Sequence, residues 1–317
     1  MALDEATAAL IARSAGRPRV PELTVAQARQ LDRPAARGRQ RRAGPIADVL
    51  VPVAGGSIPV RVLRPEGKPR ALIVFYHRGG WVLGDLDECQ PVAEALAART
   101  GCAVICPGYR LAPEYRYPTA VEDAWAALRW AAAHAGDLAG DIAGEPVPLI
   151  VAGEGAGGNL AAVTARRSAE QGGPAVLLQV LICPVTDYDT DGLSYTDPAN
   201  QLLLDRDAMT WSWDHYAPEP SARAHPDASP LQAVFLTGVP PAVILTAEHD
   251  VLRDEGELYA MRLIQAGVPV EHRRFAGQMH GFFGLLDVLP GSADGLRYVT
   301  DQVARTLAAA ALSRLAG

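Results

Sequence analysis

The sequence predicts an α/β fold with a mostly parallel central sheet flanked by helices. Short apolar runs typical of strands alternate with longer alanine-rich stretches typical of helices. Residues 71–76 are apolar throughout, as expected of a strand buried on both faces. A third observation is the corner at residues 147–160, where an apolar run ends in glycines and a helical stretch follows. We expect one domain over residues 1–317.

The composition argues against a nucleic-acid-binding protein and against a protein that spans a membrane. The chain has 317 residues, 49% of them hydrophobic and 21% charged, and a formal net charge of -7. This acidic balance argues against nucleic acid as a partner. Nowhere does the sequence reach the roughly 18 uncharged apolar residues of a membrane span. Its four cysteines form no C-x-x-C pair, so we expect buried thiols rather than disulfides or metal ligands.

The first 45 residues alternate helical stretches with arginine clusters. Early acidic residues and the lack of a long apolar run before Arg13 predict no signal peptide and a cytoplasmic location. We interpret the arginines at 37–42 as a solvated surface. Two β-rich runs, 49–53 and 58–63, then flank Gly55-Gly56 and predict a hairpin.

Alternating elements follow the hairpin. Strands are predicted at 71–76, 103–106, 147–153, 176–182, 242–246 and 270–275, and helices at 91–100, 119–134, 156–170, 254–265 and 292–315. Residues 186–230 interrupt the alternation, since they are rich in Asp, Pro and aromatic residues and contain one helical stretch at 205–215. We expect this segment to be an insertion that lies over the strand ends as a cap.

The corner has the layout of a nucleophile elbow, in which a strained strand-to-helix turn presents the serine of G-x-S-x-G. Here the five positions read Gly153-Glu154-Gly155-Ala156-Gly157. Gly155 therefore occupies the degenerate nucleophile position. No serine nearby substitutes for it, because Ser168 lies about three helical turns further on.

Two other turns that follow predicted strands carry groups able to do chemistry. The N–H groups of Gly79 and Gly80, together with that of Ala156, would form an oxyanion hole, although a tight turn alone also explains the glycines. Asp250 follows a strand and is placed to orient His280; the alternative is a helix N-cap, a role we assign to Asp254. The order of elbow, Asp250 and His280 is that of the α/β hydrolases.

Together these stretches resemble the bacterial hormone-sensitive-lipase-like carboxylesterases of the α/β-hydrolase fold. The resemblance implies that Gly79, Gly80 and Ala156 supply the oxyanion hole and that His280, oriented by Asp250, transfers protons. It also implies that residues 1–45 join 186–230 in the cap, over a catalytic core of residues 46–185 and 231–317. The matching motifs are H-R-G-G-W at 77–81, G-D at 84–85, Y-R-L-A-P-E at 109–114, V-E-D-A at 121–124, G-G-N-L-A at 157–161, S-P-L at 229–231, D-V-L-R-D at 250–254 and H-G-F at 280–282.

The sequence departs from the family pattern at four positions. Arg78 stands where glycine is usual, Glu154 and Gly108 where aspartate is usual, and Gly155 where the serine is expected. Losing a triad serine costs on the order of 10⁶ in kcat in a well-studied protease. We therefore expect negligible turnover through an acyl-enzyme.

Three hypotheses remain open. The first is an enzyme that acts on a carbonyl substrate (an ester, a lactone or a related compound) by water-mediated hydrolysis, elimination, cyclisation or decarboxylation. The second is a non-catalytic small-molecule-binding protein, and the third an ordinary carboxylesterase or lipase inactivated by a Ser-to-Gly change.

We expect a partly apolar small-molecule substrate and neither a cofactor nor a metal. Arg78, Glu154 and Trp211 are candidate substrate contacts. The alternatives are that Arg78 points to solvent or pairs with an acidic neighbour such as Glu154 or Asp85, and that Trp211 belongs to the core of the cap. The sequence leaves open whether the protein forms a homodimer.

Overall fold

Eight strands form a single sheet at the centre of the molecule, whose computed structural model describes residues 2–32, 44–139 and 146–316. The strands are β1 Ile46–Val53, β2 Gly56–Leu63, β3 Leu72–Tyr76, β4 Ala103–Pro107, β5 Leu149–Glu154, β6 Val176–Ile182, β7 Ala242–His249 and β8 Val270–Met279. Their order across the sheet is β1-β2-β4-β3-β5-β6-β7-β8. β2 pairs antiparallel with β1 and β4, and the other neighbours are parallel. The carboxyl ends of β3 to β8 therefore share one edge of the sheet.

Helices cover both faces of this sheet. In the described residues they are α1 Glu5–Ser14, α2 Val25–Asp32, α3 Leu86–Thr100, α4 Thr119–Ala133, α5 Ala135–Ala139, α6 Ala156–Gln171, α7 Leu193–Thr196, α8 Arg206–Tyr216, α9 Pro220–Arg223, α10 Arg253–Gln265 and α11 Pro290–Ala316. One hydrophobic core lies against α4, α6 and α10, and a second against α3 and α11. None of these helices combines the length and apolar character needed to cross a membrane.

The predicted fold class is confirmed, and so are the hairpin and the alternation of strands and helices. Some details differ from the prediction. α3 begins at Leu86 because the Asp85 carboxylate caps its first turn by accepting the N–H groups of Asp87 and Glu88. β8 extends to Met279, and residues 186–230 contain the short helices α7 and α9 besides α8. The arginine cluster at 37–42 lies outside the described residues.

Several family motifs turn out to hold the fold together. Asp123, which is fully buried, accepts hydrogen bonds from the backbone N–H and the guanidinium of Arg110. The Asn159 amide donates to the carbonyl oxygens of Val185 and Ala228, and so ties α6 to the segment that follows β6. The four cysteines are buried free thiols.

Candidate active site

The turn between β5 and α6 is too tight for side chains at two of its glycines. A Cβ at Gly153 would overlap the backbone of Gly157, and a Cβ at Gly157 would overlap the backbone of Tyr76. Gly155 has φ 58° and ψ -117°, a conformation that strains other residues. A Cβ at Gly155, however, would meet nothing closer than Nε2 of His280, at 3.5 Å. The corner thus has space for a side chain beside the imidazole.

Asp250, which is buried, and His280, which is half-buried, form a hydrogen-bonded pair at the edge where β7 and β8 end. Nδ1 of His280 lies 2.9 Å from Oδ2 of Asp250, and because a carboxylate only accepts, the ring nitrogen donates. Oδ1 of Asp250 accepts the N–H of Leu252, which fixes the carboxylate. Burial lowers the pKa of His280, but the charge and hydrogen bond of Asp250 outweigh it and raise the pKa above its ordinary value. The structure therefore brings these two predicted residues together, with Nε2 facing the space beside Gly155.

Cys183 joins this pair and was not predicted from the sequence. It follows β6 directly and has the unusual φ of 42°. Its sulfur and ligand-type atoms of Asp250 and His280 all lie within 4.8 Å of one another. Burial and the nearby carboxylate of Asp250 raise the pKa of the thiol well above its usual range, so it stays protonated and can donate to that carboxylate. Its place directly after a strand, like that of Asp250, was the signal available in the sequence.

The same three side chains are the candidate metal ligands among the described residues. Thiol, carboxylate and imidazole are ligand types that Zn²⁺ accepts. In this arrangement Nδ1 of His280 and the Asp250 carboxylate already bind each other. The geometry is that of an acid–base pair, and the expectation of no metal stays a prediction.

The loop after β3 carries the glycines predicted to form the oxyanion hole. Gly79 and Gly80 have φ values of 117° and 60°. In the described part of the chain, no hydrogen bond uses the N–H of either glycine as its donor. Ala156 is the first residue of α6, so its N–H has no partner within the helix. A Cβ at Gly157 would also overlap the carbonyl of His77, which shows how closely this loop abuts the start of α6.

His77 and Tyr109 fix the base of that loop. The two rings stack with centroids 4.1 Å apart, and the Tyr109 hydroxyl donates to the His77 carbonyl at 2.9 Å. Burial lowers the pKa of His77 to about 4, which keeps it neutral near pH 7. His77 is therefore a structural support for the glycines that follow it.

α8 packs on the other side of the loop. Trp81 stacks on Tyr216 at 4.2 Å and lies 4.7 Å from Trp213, and all three are fully buried. A Cβ at Gly80 would collide with the side chain of Ser212 on the same helix. Trp211, the predicted substrate contact, is half-buried and lies against His215, with ring centroids 4.4 Å apart. Its contact with substrate stays a prediction.

Arg78 pairs with acidic neighbours, which is one of its two predicted alternatives to a substrate contact, although the residues differ from the examples Glu154 and Asp85. Its guanidinium contacts Glu88 on α3 and lies 3.9 Å from Asp32 at the end of α2. Glu154 acts on the guanidinium through its charge, and the Asp85 carboxylate caps the first turn of α3. A cavity of about 440 Å³ opens beside this cluster, lined by Asp32, Glu88 and neighbouring residues but not by Gly155 or His280.

Glu154 lies in the interior, at the end of β5. It is 3% exposed, Oε1 has no hydrogen-bond partner among the described residues, and a Cβ at Gly284 would lie 3.3 Å from Oε2. Burial raises the pKa of Glu154, while the positive charges of Arg78 and His280 act in the opposite direction. The structure thus places next to the elbow a carboxyl group whose ionised form is disfavoured by burial. Its role as a substrate contact stays a prediction.

Asp254 does not serve as the N-cap that we predicted. α10 begins at Arg253, and no side chain caps its start. The Asp254 carboxylate instead accepts the N–H of Ser194, which ties α10 to α7. Asp250 pairs with His280 even though Asp254 does not cap α10.

Comparisons with known proteins agree with this architecture. A family model described as the alpha/beta hydrolase fold matches residues 73–284. The carboxylesterase NlhH of Mycobacterium tuberculosis strain H37Rv is 41% identical over 244 residues, which cover 75% of each chain. The ethyl acetate hydrolase of Pseudomonas putida is 36% identical over 258 residues, or 80% of each chain. A crystal structure of a thermostable esterase from Pseudomonas putida ECU1011 superposes with a TM-score of 0.88 and 34% identity, covering 96% of this chain and 98% of that one.

Proposed function

The chain belongs to the α/β-hydrolase fold family, close to its carboxylesterases, and on this premise we propose that it acts on a small, partly apolar carbonyl substrate without a serine nucleophile. The observation that carries the proposal is the intact acid–base pair. Nδ1 of His280 is held by Asp250 at 2.9 Å, while Nε2 faces the space that the side chain of residue 155 would occupy.

In this proposal His280 is the general base. Neutral Nε2 removes a proton from a water molecule beside Gly155, and the resulting hydroxide attacks the carbonyl carbon of an ester or lactone. The N–H groups of Gly79, Gly80 and Ala156 stabilise the negative oxygen, and the leaving alkoxide takes the proton back from His280 as the tetrahedral intermediate collapses. The same base and donors also suit removal of a proton next to the carbonyl, because the donors stabilise the enolate that precedes elimination or cyclisation. In a decarboxylation the donors would instead stabilise the enolate that remains when carbon dioxide leaves.

The cap belongs to the same proposal. Residues 186–230 place α8 over the loop of Gly79 and Gly80, and Arg19 pairs with Asp205 and Asp207 at the start of that helix. These contacts support a cap made of residues 1–45 and 186–230, of which Met1 and residues 33–43 lie outside the described ranges. We propose that it covers the substrate and supplies an apolar wall.

A second candidate is a carboxylesterase that has lost its serine. It is favoured by the fit at residue 155, where a Cβ would lie in ordinary contact, 3.5 Å from Nε2 of His280. A serine hydroxyl on that Cβ would be within hydrogen-bonding reach of the imidazole, as in a catalytic triad.

One set of variants separates these candidates. Short p-nitrophenyl esters and a panel of lactones are assayed with four proteins: wild type, Gly155→Ser, Gly155→Ala and His280→Ala. If wild type turns over a substrate, His280→Ala should reduce the rate by about 10²–10⁴-fold, because the general base is lost. Equal rates in wild type and His280→Ala would contradict the proposed mechanism.

Gly155→Ser tests the second candidate. A large gain in ester hydrolysis, absent from Gly155→Ala, would identify a carboxylesterase that lacks only its serine. The alanine variant is the matched control, since it imposes the same backbone strain, of order 1–3 kcal/mol, and adds no hydroxyl. Wild type that binds carbonyl compounds and returns them unchanged would instead indicate a binding protein.

A further inference from the structure

Cys89 and Cys106 bring two thiols together in the core between α3 and β4. Cys89 lies in the first half of α3 and Cys106 in β4, and their Sγ atoms are 3.0 Å apart. A disulfide bond measures 2.03–2.05 Å, so the sulfurs would have to approach by about 1 Å. We propose that this pair is an oxidative modification site, at which a peroxide or a low-molecular-weight disulfide converts the two thiols into a Cys89–Cys106 disulfide.

The position of the pair gives the bond a structural consequence. Glu88, adjacent to Cys89 on α3, pairs with Arg78 of the glycine loop. Tyr109, three residues after Cys106, donates to the carbonyl of His77 at the base of that loop. α3 and the end of β4 therefore support the loop of Gly79 and Gly80 from two sides. A disulfide would join these supports covalently and clamp the loop between them.

The reaction balances with peroxide as the oxidant. The two thiols give up two protons and two electrons, the sulfur–sulfur bond forms, and hydrogen peroxide is reduced to two water molecules. Both sulfurs are buried, and the pKa of the Cys89 thiol is raised by its hydrogen bond with Cys106 and by burial. Because the thiolate is the reactive form, the reduced pair is stable in the folded protein unless an oxidant reaches it. The bond can also form earlier, while the chain folds under oxidising conditions.

The remaining cysteines serve as internal controls. Cys102 directs its sulfur toward the carbonyl of Thr100, at 3.7 Å, and Cys183 lies beside Asp250. With all four cysteines described, the structure places only Cys89 and Cys106 with their sulfurs in contact. Oxidation should therefore be selective for this pair.

Peptide mass spectrometry tests the proposal on the full chain. The protein is exposed to hydrogen peroxide or oxidised glutathione, both in its native state and during refolding; free thiols are then blocked in denaturant before digestion with trypsin. We expect residues 79–99 to be joined to residues 100–110, with a loss of two hydrogens. Cys102 and Cys106 share the second peptide, so the bridge must persist in Cys102→Ala and vanish in Cys106→Ala.

Two results would overturn the inference. If all four cysteines carry the blocking agent, both after oxidation of the native protein and after refolding with the oxidant, the bond does not form. A bridge that survives in Cys106→Ala would assign it to Cys102. For the clamp, amide hydrogen exchange at residues 77–81 should slow on oxidation in wild type and not in Cys106→Ala; equal exchange in oxidised and reduced wild type would contradict it.

Discussion

At the scale of single residues, His280 determines the pH at which the proposed chemistry operates. Asp250 raises the pKa of the imidazole above its ordinary value near 6.5, in spite of burial. A general base must be neutral, so the reaction rate should rise with pH through a pKa above 6.5. Asp250→Asn removes the charge that stabilises the protonated ring, and the acid limb should therefore shift to lower pH. A limb at the same pH in both proteins would show that His280 is not the titrating group.

The Cys183 thiol should tune the same imidazole through Asp250. As a donor to the carboxylate it withdraws part of the negative charge that stabilises protonated His280. Cys183→Ala should raise the pKa of His280, whereas Cys183→Ser keeps a donor and should stay close to wild type. NMR titration of the His280 ring reports this without any substrate. A pKa that falls or stays constant in Cys183→Ala would rule out the thiol as a positioning group.

Residue types and order in the sequence were sufficient to predict that Asp250 and His280 meet near Gly155. Both follow parallel strands, and the ends of parallel strands share one edge of the sheet. The partners of Arg78 were not predictable in the same way. Glu88 and Asp32 lie on α3 and α2, and only the packing of those helices against the loop brings their carboxylates to the guanidinium. A long side chain such as that of Arg78 can reach several acidic residues, and the packing of distant helices determines which of them it contacts. No local sequence pattern encodes that packing.

At the scale of elements, one buried ion pair fastens the segment after β4 to α4. Asp123 on α4 is fully buried and accepts from both the backbone and the guanidinium of Arg110, whose side chain is 20% exposed. The alternation of strands and helices in the sequence predicted β4 and α4. How strongly the segment after β4 is held to α4 depends on the burial of the Asp123 carboxylate. Tyr109, next to Arg110, supports the glycine loop, so the pair also stabilises the site.

Removing that carboxylate should therefore be costly. We expect Asp123→Asn to lower the free energy of unfolding by about 2 kcal/mol, since the buried amide can accept only part of the hydrogen bonds that Arg110 donates to the carboxylate. Asp48→Asn is the matched control, because Asp48 pairs with Arg61 while 52% exposed and such pairs contribute about 0–1 kcal/mol. Urea denaturation measures both. Similar losses in the two variants would contradict a special role for Asp123.

At the scale of the whole molecule, the departures from the family pattern concentrate charge beneath the candidate site. Glu154 is buried, its pKa is raised by burial, and Arg78 and His280 offset this only in part. A buried carboxyl group with an unpaired oxygen weakens the fold once it ionises. The sequence placed Glu154 beside Gly155 in the elbow, whereas its burial against the turn at Gly284 depends on how the chain after β8 packs.

The sign of the resulting pH dependence follows from proton linkage. Because the pKa of Glu154 is higher in the folded than in the unfolded protein, the folded state binds more protons as pH rises above the ordinary carboxyl value of 4.5. This group therefore makes the protein less stable as pH rises from 4.5 through its raised folded pKa. Replacement by glutamine removes the titration and keeps the shape of the side chain.

We therefore expect Glu154→Gln to gain stability relative to wild type as pH increases. The measurement is the free energy of unfolding in urea at several values between pH 5 and pH 8, with Glu66→Gln, an exposed substitution, as the control. The difference between Glu154→Gln and wild type should grow toward high pH, whereas the difference for Glu66→Gln should remain constant within about 0.5 kcal/mol. If the Glu154 difference also stays constant, Glu154 titrates alike in both states, and its burial imposes no electrostatic cost on the fold that carries the site.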